Sequence, residues 1–116
     1  MWENESRVNK RYHSIARVSI EGIQNTDIML KNISITGCCV NCLSVVDLSV
    51  NSQYKIKIKP ESNSKIGNFD LPVECKWICC TNNSSEVGFS IVGLPEGKLF
   101  QRYVDYLSFR SKFDKS

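Results

Sequence analysis

The sequence has no long apolar run, and this absence limits where the protein can be. No stretch of about 18 or more consecutive apolar residues occurs in the chain of 116 residues, so we expect no transmembrane helix and no membrane insertion. The first residues, which include Glu3 and Glu5, are mainly polar and acidic, whereas a secretion signal has a basic start followed by an apolar core. We therefore expect a cytoplasmic protein.

The sequence also has little that could carry catalysis. It contains one histidine, His13, and no acid and nucleophile stand near it at a spacing typical of a catalytic group. No glycine-rich loop joins a predicted strand to a predicted helix, so a nucleotide-phosphate loop of that kind is excluded. We expect a protein that is not an enzyme and that carries no cofactor.

A strong excess of positive charge is lacking too. The formal net charge is +3, whereas a domain that binds nucleic acid in general is markedly basic, with clustered Lys and Arg. Basic residues nevertheless concentrate near the N-terminus, where four of the first seventeen residues are Arg7, Lys10, Arg11 and Arg17. This distribution excludes general nucleic-acid binding but allows a local anion site.

Cysteine, in contrast, is abundant, with six residues in a short chain. The spacing Cys39-x-x-Cys42 invites a zinc hypothesis. However, Cys38-Cys39 and Cys79-Cys80 are adjacent pairs inside β-rich runs, where neighbouring side chains point to opposite faces and do not easily converge on one ion. We expect buried, reduced thiols that act as small hydrophobic residues, with zinc as the weaker alternative.

The hydrophobic pattern predicts an all-β protein with a C-terminal helix. Alternating apolar and polar residues predict six short strands, over residues 16–21, 28–33, 39–43, 54–59, 71–79 and 87–91. The alternation in the fifth strand turns Trp77 inward. Apolar residues at spacings of three and four predict a helix over about 95–111. Because the links between strands are short, the pattern indicates an antiparallel barrel or sandwich, over residues 16–116.

Two polar motifs lie around the second predicted strand. Residues 1–15 have no periodicity, and we interpret them as a flexible basic arm that carries Arg7 and Arg11, whose planar guanidinium groups suit phosphates and flat bases. The turn Asn32-x-Ser34-x-x-Gly37 follows, 21 positions after Arg11. It gathers an amide, a hydroxyl and backbone N–H groups, and Gly37 would accept a left-handed backbone most easily.

This constellation resembles the signature of the PilZ domain family, which is Arg-x-x-x-Arg followed after about twenty residues by Asp/Asn-x-Ser-x-x-Gly. Residues 87–91, before Leu94 and Pro95, also resemble the last strand of that family. The resemblance implies a six-stranded antiparallel β-barrel of the split-barrel type with a C-terminal helix. It also implies a receptor for cyclic di-GMP in bacterial signal transduction, such as motility regulation.

The resemblance further implies roles for individual residues. Arg7 and Arg11 would contact the phosphates and stack on or bind the guanines. Asn32 and Ser34 would meet a guanine edge or a phosphate, and Gly37 would let the ligand approach the backbone.

Some alternatives remain open within this resemblance. Lys10, His13 and Arg17 offer other cations near the motif, and Asn32 stands where Asp is more common in the family. The arm would fold over the barrel when cyclic di-GMP binds, and the new surface would be recognised by an unidentified protein partner. The alternative function is a protein-interaction adaptor of the same fold that does not bind nucleotide.

Overall fold

The computed structural model describes residues 10–23, 27–44, 46–93, 95 and 97–114, with side chains to residue 112. The described strands are β1 (Tyr12–His13), β2 (Arg17–Ile20), β3 (Ile28–Ile33), β4 (Gly37–Cys42), β5 (Gln53–Lys59), β6 (Phe69–Thr81) and β7 (Ser84–Ile91). A short 3-10 helix (Ser62–Ser64) follows β5, and the helix α1 (Leu99–Asp114) follows β7.

Six of these strands close into an antiparallel barrel. Around the ring, β3 is followed by β2, β5, β6, β7 and β4, and β4 pairs back onto β3. The short strand β1 pairs with the same edge of β3 that β2 uses further along. The predicted six-stranded antiparallel barrel with a C-terminal helix is therefore confirmed, and β1 is an additional strand.

The barrel interior is filled by the inward residues of the alternating strands. In β5, for example, Ile56 and Ile58 are fully buried, and the lysines that alternate with them are exposed. The helix α1 covers this core with the stripe that the sequence predicts. Phe100, Tyr103, Val104 and Leu107 are all buried. Burial of such a stripe holds the helix against the barrel, because each large apolar side chain contributes about 1.5–3 kcal/mol.

The predicted inward orientation of Trp77 is wrong. Cys75 pairs with Phe89 but Trp77 pairs with Gly88, so β6 has one residue more than β7 at Lys76. Such a β-bulge shifts the inside–outside alternation by one position. As a result Cys75 is buried, Trp77 is 44% exposed on the outer face, and Ile78 packs against the core.

The sheet begins earlier than residue 16, where the first strand was predicted. From Tyr12 to Ile20 every second residue points inward, and the residues between β1 and β2 are bound to β3 by hydrogen bonds from Ser14 N to Lys31 O and from Leu30 N to Ala16 O. The inward residue Ser14 is polar, whereas the outward Ile15 is 59% exposed. At these two positions the inward residue is polar and the outward residue is apolar, which is the reverse of the usual pattern. The sequence therefore does not show the strand alternation there.

A buried polar network explains why Ser14 is tolerated inside. Its hydroxyl lies 2.6 Å from the Tyr103 hydroxyl and accepts a hydrogen bond from Ala16 N. Tyr103 in turn donates to the Glu61 carboxylate at 2.7 Å, and the Arg110 guanidinium binds the same carboxylate at 3.0 Å. The network ties the N-terminal edge of the sheet to α1 and to the loop after β5.

We expect Tyr103→Phe to destabilise the protein through this network. The substitution keeps the ring but removes the hydroxyl shared by Ser14 and Glu61, so the free energy of unfolding should fall by about 1–3 kcal/mol. Tyr106→Phe is the matched control, because among the described residues the Tyr106 hydroxyl has one hydrogen bond, at 3.5 Å, from Arg110. Urea unfolding measures the free energy of unfolding of both variants. Equal stabilities of the two variants would contradict a structural role for the network.

Candidate functional site

The polar turn that the sequence singles out links β3 to β4 through residues 34–36. Ser34 is fully buried, and its hydroxyl accepts hydrogen bonds from Thr36 N and Gly37 N, both at 3.2 Å. The hydroxyl also lies within 3.3 Å of the Gly37 carbonyl. Because these bonds use the hydrogen-bonding capacity of a serine, Ser34 shapes the turn in this structure, and its contact with a ligand stays a prediction.

Gly37 begins β4 instead of ending the turn. Its backbone is not in the left-handed region that we expected for it. A Cβ at this position would stand 2.5 Å from the carbonyl oxygen of Phe89. Glycine is therefore required here because β4 and β7 approach closely, and the left-handed explanation is wrong.

The structure brings together one residue from each predicted motif. Arg11 precedes β1, and the pairing of Tyr12 with Ile33 and of His13 with Asn32 sets it beside the polar turn. The Arg11 guanidinium donates a hydrogen bond of 2.8 Å from Nη1 to Asn32 Oδ1. This contact spans the 21 positions that separate the two motifs.

Of the other predicted cations, Lys10 and Arg17 are not brought to this point. Arg7 lies outside the described residues. The Lys10 ammonium stands 5.7 Å from the centre of the Tyr12 ring. Arg17 is exposed on β2, and neither it nor Lys10 lines the cavity described next.

Arg11 and Asn32 stand at the edge of a cavity of about 630 Å³, which we call the outer-face cavity. It is formed on the outside of the barrel by residues of β3, β4, β6 and β7, which include Lys31, Asn32, Gly37, Cys39, Lys76, Trp77, Glu86, Gly88 and Ser90. Its volume lies in the range of small-molecule sites, about 300–1,000 Å³. Most of these residues have no recognisable motif, and the sequence analysis did not identify them.

Trp77 forms an aromatic wall of this cavity. The bulge at Lys76 turns the indole outward, where it lies directly over Gly88, and an added Cβ on Gly88 would overlap the ring. A glycine opposite an outward tryptophan is the sequence signal that could have revealed this arrangement. The half-exposed ring offers a flat surface for a planar ligand.

The outer-face cavity is mainly positive, with one carboxylate among its described lining residues. Arg11, Lys31 and Lys76 contribute three positive charges, and Glu86 contributes the negative one. The Lys31 ammonium forms a hydrogen-bonded ion pair with Glu86, which raises the pKa of Lys31. Exposed ion pairs of this kind contribute little to stability because solvent screens them, so the pair can open at little cost when a ligand enters.

The cysteines divide into two groups, and the prediction that all are buried is wrong for two of them. Burial raises the pKa of the Cys38 thiol to about 12 and that of the Cys42 thiol to about 11. Cys79 and Cys80, at the far end of β6, are exposed. In the part of the chain that the structure describes, no group of three or more His, Cys, Asp or Glu side chains is arranged to hold a metal.

The fold and the site define a small β-barrel domain with a positively charged cavity on its outer face. A family model described as the PilZ domain matches residues 4–107, and the chain therefore belongs to the PilZ domain family. PilZ domains are binding and adaptor domains associated with cyclic di-GMP, and some of them lack nucleotide binding. Neither the curated proteins nor the solved structures include a match. Among the described residues, no helix is both long and apolar enough to cross a membrane.

We expect Gly88→Ala to displace Trp77. The new methyl group would occupy the position of the indole ring, and overpacking of this kind costs about 1–3 kcal/mol. Gly67→Ala is the control, because its nearest neighbour would be Leu99 Cδ1 at 3.9 Å. NMR of the Trp77 indole N–H reports the displacement of the ring, and urea unfolding reports the loss of stability. A Trp77 signal unchanged in Gly88→Ala would show that the ring does not depend on this glycine.

We also expect the thiols to react in two classes. Cys79 and Cys80 should react rapidly with an aromatic disulfide reagent in the folded protein, whereas the buried thiols should react only on unfolding. The denatured protein should then yield all six thiols without prior reduction. A shortfall in the denatured count would indicate a disulfide.

Proposed function

We propose that this protein is a cyclic di-GMP receptor that binds the nucleotide in the outer-face cavity. The observation that carries the proposal is the hydrogen bond between Arg11 and Asn32. It joins the arginine motif to the polar turn at the edge of a cavity of suitable size, so two motifs that are distant in sequence form one site.

The chemistry of the cavity suits both parts of the ligand. Cyclic di-GMP has two phosphates and two flat guanine bases. The guanidinium of Arg11 can bind a phosphate through two parallel hydrogen bonds, and the ammonium groups of Lys31 and Lys76 add positive charge nearby. The exposed indole of Trp77 provides a surface on which a guanine can stack, an interaction worth about 1–3 kcal/mol for each base.

Ligand binding would change the contacts of Arg11. In this structure its guanidinium is bound to Asn32, and a phosphate would compete for the same N–H groups. Arg7, four positions before Arg11, would add a second guanidinium from the N-terminal arm. The ordered arm and the ligand together would then form a surface for a protein partner, a switch that needs no change inside the barrel.

A protein-interaction adaptor that binds no nucleotide is the second candidate. It is favoured by Asn32, because a neutral amide stands where the family more often has a carboxylate. The two candidate functions predict different melting temperatures of the protein in the presence of cyclic di-GMP. A nucleotide that binds only the folded protein stabilises it by about 2.7 kcal/mol at a concentration of 100 Kd, whereas an adaptor would melt at the same temperature with and without cyclic di-GMP.

We expect Arg11→Ala to lose about 2–5 kcal/mol of binding free energy for cyclic di-GMP, because a charged hydrogen-bond partner of the phosphate is removed. Arg17→Ala is the matched control, since it removes the same charge from an exposed position outside the cavity. Titration calorimetry measures both variants and the unsubstituted protein. Equal affinities of Arg11→Ala and Arg17→Ala would contradict the proposed site.

A further inference from the structure

Glu86 is an unexpected residue in a cavity for an anionic ligand. It lies on the outer face of β7, where Glu86, Gly88 and Ser90 alternate with inward residues and all three line the outer-face cavity. A carboxylate there opposes the binding of phosphate, and its ion pair with Lys31 joins two partly exposed groups, 45% and 32% accessible. Because such a pair contributes little to stability, the position of Glu86 calls for another explanation.

The stacking surface lies next to this carboxylate. Trp77 covers Gly88, which is two residues from Glu86 on the same face of the strand. Two residues of a β-strand span about 7 Å, which is close to the distance from the centre of a stacked purine to a group that binds its edge. A base on Trp77 can therefore present an edge to Glu86.

A carboxylate is the group that suits the guanine edge. Guanine carries two neighbouring donors, the ring N1–H and the exocyclic 2-amino group, and an ionised carboxylate accepts two hydrogen bonds side by side. Adenine has an acceptor at N1, which a carboxylate repels. Asn32 is less suited to the role, since its amide oxygen is neutral and already accepts from Arg11.

We propose that Glu86 is the specificity-determining residue that recognises guanine in this protein, and the inference rests on the proposed function. When the nucleotide binds, the Glu86 carboxylate leaves Lys31 and accepts the N1–H and 2-amino hydrogens of one guanine. The released ammonium of Lys31 then binds a phosphate. The ion pair of the free protein is thus replaced by two contacts with one ligand. The Glu86 carboxylate and the Lys31 ammonium each have a hydrogen-bond partner both with and without the ligand.

The test compares cyclic di-GMP with cyclic di-IMP, which keeps N1–H but lacks the 2-amino group, by titration calorimetry. The unsubstituted protein should bind cyclic di-GMP at least about tenfold more tightly, because hydrogen bonds to charged groups have this strength. Glu86→Gln should bring the two affinities to within a few-fold of each other. Lys31→Gln should weaken both ligands by the same factor, since their phosphates are identical.

Glu74→Gln is the matched control. Its carboxylate also pairs with a lysine, Lys76, at 3.2 Å, but it does not line the cavity, so the preference for cyclic di-GMP should be kept. If Glu86→Gln keeps that preference as well, or binds cyclic di-GMP more tightly, the proposed role of Glu86 in guanine recognition is wrong. The proposed function as a receptor would still stand. If the unsubstituted protein binds neither nucleotide, the proposed function and this inference are both wrong.

Discussion

The pairing of β3 with β4 closes the barrel, and the arrangement of the candidate site depends on it. One edge of β3 is used by β1 and β2, and the other edge is used by β4. Asn32 on β3 therefore lies beside the segment of Arg11 at one edge of the strand. At the other edge, β3 joins the strands that form the floor of the outer-face cavity. The close approach of β4 to β7, which Gly37 permits, completes that floor.

The sequence predicts the fold well because most strands obey the alternation of a half-buried sheet. Residues 54–59 show the pattern clearly, and the structure has a strand there, Gln53–Lys59. The spacing of the apolar residues in the C-terminal helix was equally regular. The family signature also singled out Arg11 and Asn32, which the structure joins by a hydrogen bond. It did not indicate that Ser34 bonds within its own turn or that Gly37 permits the close approach of β4 to β7.

The features that the sequence does not predict all depend on partners that are distant along the chain. The bulge at Lys76 is visible only in the register between β6 and β7, so local alternation assigned Trp77 to the core. Ser14 is inside because Tyr103, 89 positions later, binds its hydroxyl. The cavity lining was missed for the same reason, since Lys31 and Glu86 form a pair only after three strands are side by side.

The hydrogen bond between Ser14 and Tyr103 has a consequence for the order in which the protein is assembled. Contacts between residues far apart in sequence close a long loop and form late in folding. Ser14 stands three residues after Arg11, and its partner belongs to the C-terminal helix. During synthesis on the ribosome, β1 can pair with β3 early, whereas the Ser14 hydroxyl gains its partner only after Tyr103 has emerged, so the last anchor of the edge that carries Arg11 is added once α1 has formed.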